Sequence, residues 1–332
     1  MEKLRVSTSP HIHDSGTTNR IMLDVLIALA PAKVAAVWIF GWRAALVTAV
    51  CVISCVLFEW LFEKITKRPN TIGDLSAAIT GVLLAFNLPV TIPLWQAVFG
   101  SAVAIILVKQ LFGGLGKNFA NPAATARIVM FLAFSVSMTT WVVPLDAVTA
   151  ATPLPVASAT PLPVDPWLYP LDAFTGATPL VLIARGDTSA LPGLWDMFIG
   201  LRGGSLGETS NLALLLGGIY LMIRRVITWH APVSFIGIVF IMSAILGQQP
   251  MHQLFAGGLF LGAIFMATDY VTTPQTNMGR LVFGIGCGLF TVLFRFYSSY
   301  PEGVSFAILL MNILTPYINK FTMSKPLGGL KA

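Results

Sequence analysis

Apolar residues occupy most of this chain in long runs, with polar residues gathered in short clusters between them. A helix needs about 20 residues to cross the hydrocarbon core of a membrane. Ten runs approach or reach that length, near 21–40, 44–63, 74–90, 94–112, 122–143, 211–227, 232–248, 254–269, 279–297 and 302–321. The pattern predicts an all-α polytopic membrane protein of about ten transmembrane helices. It divides the chain into a polar tail (1–20), a first five-helix repeat (21–143), a long insertion (144–210), a second five-helix repeat (211–321) and a closing tail (322–332). The first run is long and lacks a cleavage pattern, so it is expected to act as an internal signal-anchor.

The two halves correspond. Residues 81–93 run from Gly81 to Val90-Thr91-Ile92-Pro93, and residues 262–274 run from Gly262 to Val271-Thr272-Thr273-Pro274. Each stretch closes a short third run, is followed by a fourth, and precedes a polar approach to a fifth. Those approaches are Lys117-Asn118-Phe119-Ala120-Asn121-Pro122 and Glu302-Gly303-Val304-Ser305. Five spans is an odd number, so the second repeat must be inverted relative to the first.

Composition agrees, with 56% hydrophobic residues, 10% charged and a mean hydropathy of +0.80. That excludes an ordinary soluble domain. The net charge of +6 comes from 20 Lys and Arg against 14 Asp and Glu, and the basic residues sit mainly at span ends. Their placement speaks for membrane orientation and against nucleic acid. Fifteen fall on the face shared by the two termini and four on the other, with Lys33 inside a span. By the positive-inside rule both termini are cytoplasmic and the insertion is extracytoplasmic. Cys51, Cys55 and Cys287 lie in apolar runs without paired spacing and read as buried thiols. His11, His13, His230 and His252 form no ligand spacing, and no metal site is expected.

The insertion repeats Ala-Thr-Pro-Leu-Pro-Val at 151–156 and 159–164, and is expected to lie as an extended strap on the membrane domain. Trp167, Tyr169, Trp195 and Phe198 could anchor it at the interface. It contains Asp172-Ala173-Phe174-Thr175-Gly176-Ala177-Thr178-Pro179-Leu180, and an earlier copy of the same spacing from Asp146 to Leu154 with Ala150 in place of Gly176. A Thr oxygen presented to an enzyme needs a thin, adaptable backbone, and glycine supplies it. That favours Thr178 over Thr152. The plain alternative is that both copies are remnants of a duplicated spacer.

The Asp-x-x-Thr-Gly-Ala-Thr core resembles the flavinylation motif of membrane electron-transfer subunits. With the segment Lys109–Ala123, the run Met266-Ala267-Thr268-Asp269 and the ten spans, it makes nearly the whole chain similar to the D subunits of Rnf ion-translocating electron transport complexes. The related B subunits of sodium-translocating NADH:quinone reductases are similar too. The resemblance implies several things at once. The fold would be that of urea-transporter-type inverted repeats. FMN would be held through a phosphoester on Thr178, with Asp172, Thr175, Gly176 and Ala177 as the motif read by a separate FMN transferase that uses FAD. The complex would be bacterial, in the cytoplasmic (inner) membrane, and would move electrons between ferredoxin and NAD while translocating Na+ or H+. Its partners would be the other Rnf subunits, with flavins and iron–sulfur centres among them. The resemblance also makes Lys117, Asn118, Asn121 and Arg127 candidates for a non-covalent riboflavin or second flavin, and Asp74 and Asp269 candidates for an ion pathway.

Each has a plainer reading. Asn121 and Pro122 suit a helix N-cap and first helical residue, with Asn118 closing the loop. Asp74 and Asp269 belong, with Asp24, Glu59 and Glu63, to carboxylates at or inside span ends, where ionisable groups are costly. They could equally be caps, or pair with Lys67 or Arg280. Lys33 would snorkel or pair with Asp24. Gly258-x-x-x-Gly262 reads as a close-packing face and Gly203-Gly204-x-x-Gly207 as a loop. A small-solute channel and a structural anchor for a redox complex remain as other functional classes.

Overall fold

A computed structural model describes residues 17–143, 174–175, 178–185, 191–298 and 302–323. Helix α1 (Thr18–Phe40) starts where the Thr17 side chain accepts from the Arg20 N–H, and stops at Gly41, whose φ of 72° few other residues adopt. Helix α2 (Trp42–Thr66) follows at once and ends at Lys67 in the left-handed region. Then come α3 (Ser76–Phe86), α4 (Leu94–Ala102) continuing as a π-helical segment Val103–Gln110, α5 (Pro122–Ala133) and α6 (Ser135–Thr139). Val142–Val143 pairs antiparallel with Phe174–Thr175, the one strand pairing among the described residues. Two short helices follow, α7 (Pro179–Arg185) and α8 (Leu194–Ile199). The second half holds α9 (Asn211–Ile223), α10 (His230–Ile245), α11 (Pro250–Phe255), α12 (Leu259–Leu261) with a π-helical segment Gly262–Met266, α13 (Asn277–Tyr297) and α14 (Val304–Thr322).

Among the described residues four helices, α1, α2, α13 and α14, are long and apolar enough to cross a membrane, and five further apolar helices have 10–17 residues. Only 28–44% of each long span is buried inside the protein, and Trp38, Trp42 and Trp229 are exposed, as expected of surfaces that meet lipid. The chain is a multi-pass helical membrane protein.

In each half the second helix is the hub. Helix α2 packs on α3 and α4, and α10 packs on α13 and the π-helical segment Gly262–Met266. Helices α1 and α9 pack on each other, as do α5 and α14. Small residues set the approach: a Cβ at Gly81 would lie 2.7 Å from the Val52 Cα, so α3 lies directly on the backbone of α2.

Two expected short runs are shorter still as helices. The run at 74–90 is helical over Ser76–Phe86, because the Asn87 side chain turns back to donate to the Leu83 carbonyl at 2.7 Å. Arg43 then holds the following turn, donating from Nε to Val90 O at 2.8 Å. The run at 254–269 is broken at Gly257, whose φ is 65°.

The surface strap expected over 144–210 does not extend to its end. Residues 201–210 run through the interior, with Arg202, Ser205, Leu206, Glu208 and Thr209 all buried. The Leu206 and Gly207 N–H groups donate to the Leu88 and Phe86 carbonyls, each at 3.0 Å, satisfying groups beyond the end of α3. Glycine is required at 207 because any Cβ there would enter the Phe86 ring. The Pro-rich tract with Trp167 and Tyr169 lies outside the described residues.

Candidate functional site

Asp172, Gly176 and Ala177 lie outside the described residues, and of Thr175 only the backbone pairing is described. Thr178 opens α7. Its carbonyl accepts from the Val181 and Leu182 N–H groups at 3.0 and 3.1 Å, and its hydroxyl faces the Val181 N–H at 3.4 Å. This is the geometry of an N-cap threonine before proline. Thr178 is 5% exposed, and Leu180, two residues on, packs with Met197 and Ala256.

Beyond Leu180 lies a cavity of about 190 Å³. It is lined by Leu180, Ile183 and Ala184 of α7, by Gln248 and Gln253, and by Arg295, Phe296 and Ser298 at the end of α13. Arg295 donates to Gln253 O at 2.6 Å, Gln253 Oε1 at 3.1 Å and Ala256 O at 3.0 Å. Arg202, on the buried 201–210 segment, donates to Glu208 O at 2.6 Å and Gly257 O at 3.3 Å.

Arg127 lies at the centre of the protein, not in a cavity. Its guanidinium meets Glu208 at 2.8 Å and Glu302, and donates to Asn87 Oδ1 at 3.1 Å and Ser305 Oγ at 3.3 Å. One side chain of α5 thus ties α3, the 201–210 segment and the start of α14 together. Such a pair is strongly destabilising to break, because removing one member strands a buried charge.

The second candidate set divides. A separate cavity, of about 110 Å³, is walled mostly by apolar side chains, among them Ile21, Val25, Ile79, Leu83, Leu221 and Phe265. Asn118, Asn121, Lys109, Ser76 and Asp269 also reach it, whereas Lys117 and Arg127 do not line it. Both amides are already engaged. Asn118 Nδ2 donates to Ala120 O at 3.1 Å; Asn121 caps α5, accepting from Ala123 and Ala124 N–H at 3.1 Å, and donates to Met266 O at 3.3 Å. The capping reading of Asn121–Pro122 is therefore what the geometry delivers. The apolar walls suit a flat aromatic ring, but the amides have little capacity left to read its edge.

Asp74 and Asp269 act as local caps and do not pair with Lys67 or Arg280. Asp269 accepts from Val271 N–H at 3.4 Å and Thr272 Oγ1 at 3.3 Å, while Arg280 donates to Pro274 O and Thr228 Oγ1. Asp74 accepts from the Ser76 N–H at 2.8 Å and hydroxyl at 2.5 Å. That hydroxyl accepts from Lys109 Nζ at 2.6 Å, and Lys109 pairs with Glu59 at 2.6 Å. Asp74 and Glu59 are thus joined through one lysine. The Glu63 carboxylate accepts from the Thr71 hydroxyl. Lys33 does not meet Asp24; it donates to Ala44 O at 3.0 Å, and Asp24 joins α1 to α9 by accepting from Tyr220 and Arg224.

Glu208, Glu302, Arg202 and Arg295 were not among the expected site residues. A charged residue inside an apolar run was the available signal for Arg295, and Glu302 already stood at a polar approach. Nothing local marks Arg202 or Glu208, whose surroundings are Gly- and Ser-rich like a surface loop.

Apolar helices around a buried, mostly paired ionic centre define a polytopic membrane protein whose interior is built to hold charge. Comparison with known proteins narrows the class. The chain matches the model of the NQR2, RnfD, RnfE family over residues 5–328, and it belongs to that family. It is 44% identical to the D subunit of the Na(+)-translocating ferredoxin:NAD(+) oxidoreductase complex of Acetobacterium woodii, over 99% of this chain and 96% of that one. Identity is 40% to the D subunit of the proton-translocating ferredoxin:NAD(+) oxidoreductase complex of Clostridium ljungdahlii, over 97% and 96% of the two chains. It is 35% to the D subunit of the ion-translocating oxidoreductase complex of Escherichia coli, over 98% and 99%. The resemblance read from the sequence holds at the level of the family.

Proposed function

We propose that this chain is the membrane D subunit of an ion-translocating ferredoxin:NAD+ oxidoreductase complex and carries FMN esterified to Thr178. The observation that supports this best is the near end-to-end similarity to three D subunits, together with a threonine of the expected flavinylation motif that opens α7, the helix whose Leu180, Ile183 and Ala184 line a cavity. In the attachment step the Thr178 oxygen bonds to the FMN phosphorus of FAD, the bond linking the two phosphates breaks, and AMP leaves. The hydroxyl proton passes to a base of the transferase. Thr178 is buried when α7 is docked, so attachment precedes docking. Bound FMN would supply redox chemistry at a fixed point, which a diffusible flavin could not. The chain's own part is to hold that point against the helical body, with α7 packed on α13.

In this reading the two halves are five-span inverted repeats of urea-transporter type, giving ten spans. The matched hubs α2 and α10 and the mutual pairings of α1 with α9 and α5 with α14 support it. The membrane is the bacterial inner membrane, with both termini cytoplasmic and the 144–200 segment outside. A second flavin, riboflavin for instance, would rest on the apolar walls beside Asn118 and Asn121, whose amides are already bonded within the chain. The coupling ion is Na+ or H+; its route would run by Asp269 and by Asp74 with Lys109 and Glu59. The partners are the other Rnf subunits and the FMN transferase.

The test is in-gel ultraviolet fluorescence of denatured protein from cells that contain the transferase. Thr178→Ala is expected to abolish the signal and Thr152→Ala to leave it. Loss in Thr152→Ala alone would move the attachment site to the earlier copy.

A further inference from the structure

The buried ionic groups near the end of α7 do not balance. Three arginines, Arg127, Arg202 and Arg295, and two carboxylates, Glu208 and Glu302, are all buried or nearly so, and each carboxylate is in contact with Arg127. Among the described residues, no carboxylate lies within ion-pair distance of Arg202 or Arg295. Both end on carbonyl and amide oxygens, at the neighbouring residues Ala256 and Gly257. Among the described residues the cluster therefore holds one more positive than negative charge inside a membrane domain, which is costly.

The geometry also shows where an anion would go. Arg295 is 5% exposed and lines the cavity beside α7, yet its Nε has no hydrogen-bond partner among the described residues. Leu180 reaches the same place: a Cβ built on Gly257 would touch the Leu180 side chain and lie 3.6 Å from the Arg295 guanidinium. The missing charge and the free donor thus sit beside the helix that Thr178 opens.

We propose that Arg295 is the positioning residue for the modified threonine: its guanidinium, backed by Arg202, receives the single negative charge of the Thr178 phosphodiester and so locks α7 against α13. The inference rests on the flavinylation reading, and adds that the modification completes the charge balance of the core. Flavinylation would then be a docking step as well as a loading step. A phosphodiester is suited to the role because it stays ionised at any physiological pH and offers acceptor oxygens for charge-assisted hydrogen bonds.

The test is a double cycle on the full-length protein, prepared with and without the FMN transferase, in wild type, Arg295→Gln and Arg295→Lys. Mass spectrometry scores modification of each sample. Thermal melting and limited proteolysis at 178–185 score docking. Modified wild type is expected to melt several degrees above unmodified wild type and to be protected within α7. That gain should vanish in modified Arg295→Gln and persist at least in part in Arg295→Lys, because a cation is kept. An equal gain from modification in wild type and Arg295→Gln would overturn the proposal while leaving the attachment intact. An unmodified Thr178 in wild type would instead remove the reading on which the proposal rests.

Discussion

Two buried charge clusters share the middle of this protein, and they are built in opposite ways. Around Arg127 one guanidinium faces two carboxylates, Glu208 and Glu302, and also donates to Asn87 and Ser305. Around Arg295 and Arg202 the guanidiniums end on carbonyls, and one donor is left over. A network whose charges all meet an opposite charge within the chain can be purely structural. An open one, with guanidiniums that meet no carboxylate among the described residues, a donor left over and a cavity beside it, is a place where something outside the unmodified chain belongs. The comparison separates a lock, which holds the two halves together, from a socket, which waits for a ligand.

The largest effect should come from opening the lock. Arg127→Met is expected to destabilise the protein by about 3–5 kcal/mol, because Glu208 and Glu302 would be left buried without their cation. The readout is thermal melting in detergent, with folded yield as a cross-check. Adding Glu208→Gln and Glu302→Gln should recover part of the loss, since the cost lies in stranded charge and not in lost packing. If the triple variant were no more stable than Arg127→Met, the network would hold by shape instead.

A smaller effect is expected at the socket. In protein made without the FMN transferase, Arg295→Gln should cost about 1–3 kcal/mol: three acceptors, Gln253 O, Gln253 Oε1 and Ala256 O, lose a donor, but no opposite charge is stranded. Melting of the two unmodified proteins checks it. A loss as large as that of Arg127→Met would mean that Arg295 is already balanced, and the contrast between the clusters would disappear.

How much of this could be read from the chain follows from which contacts are local. The membrane class was legible from the long apolar runs, because lipid demands them over whole helices. The cap at Asn121 was legible too, since Asn121 and Pro122 act on the helix that begins beside them. The ion pairs were not. Arg127 meets Glu302 across 175 residues, and its partners are chosen by how the two halves pack. Lys33 and Asp24 show the same limit: they are near in sequence, but helix packing gave Asp24 to Tyr220 and Arg224. The 201–210 segment misled for a different reason. Gly203, Gly204, Ser205 and Gly207 suit a surface loop by composition, but small residues are also what a backbone needs to run beside Phe86 in a packed interior.

Attachment of FMN to Thr178 is tested most directly by peptide mass spectrometry of the protein purified from cells that contain the FMN transferase. The peptide that includes Thr178 is expected to be heavier by FMN less one water, and the peptide that includes Thr152 to have its unmodified mass. A Thr178 peptide found wholly unmodified would contradict it.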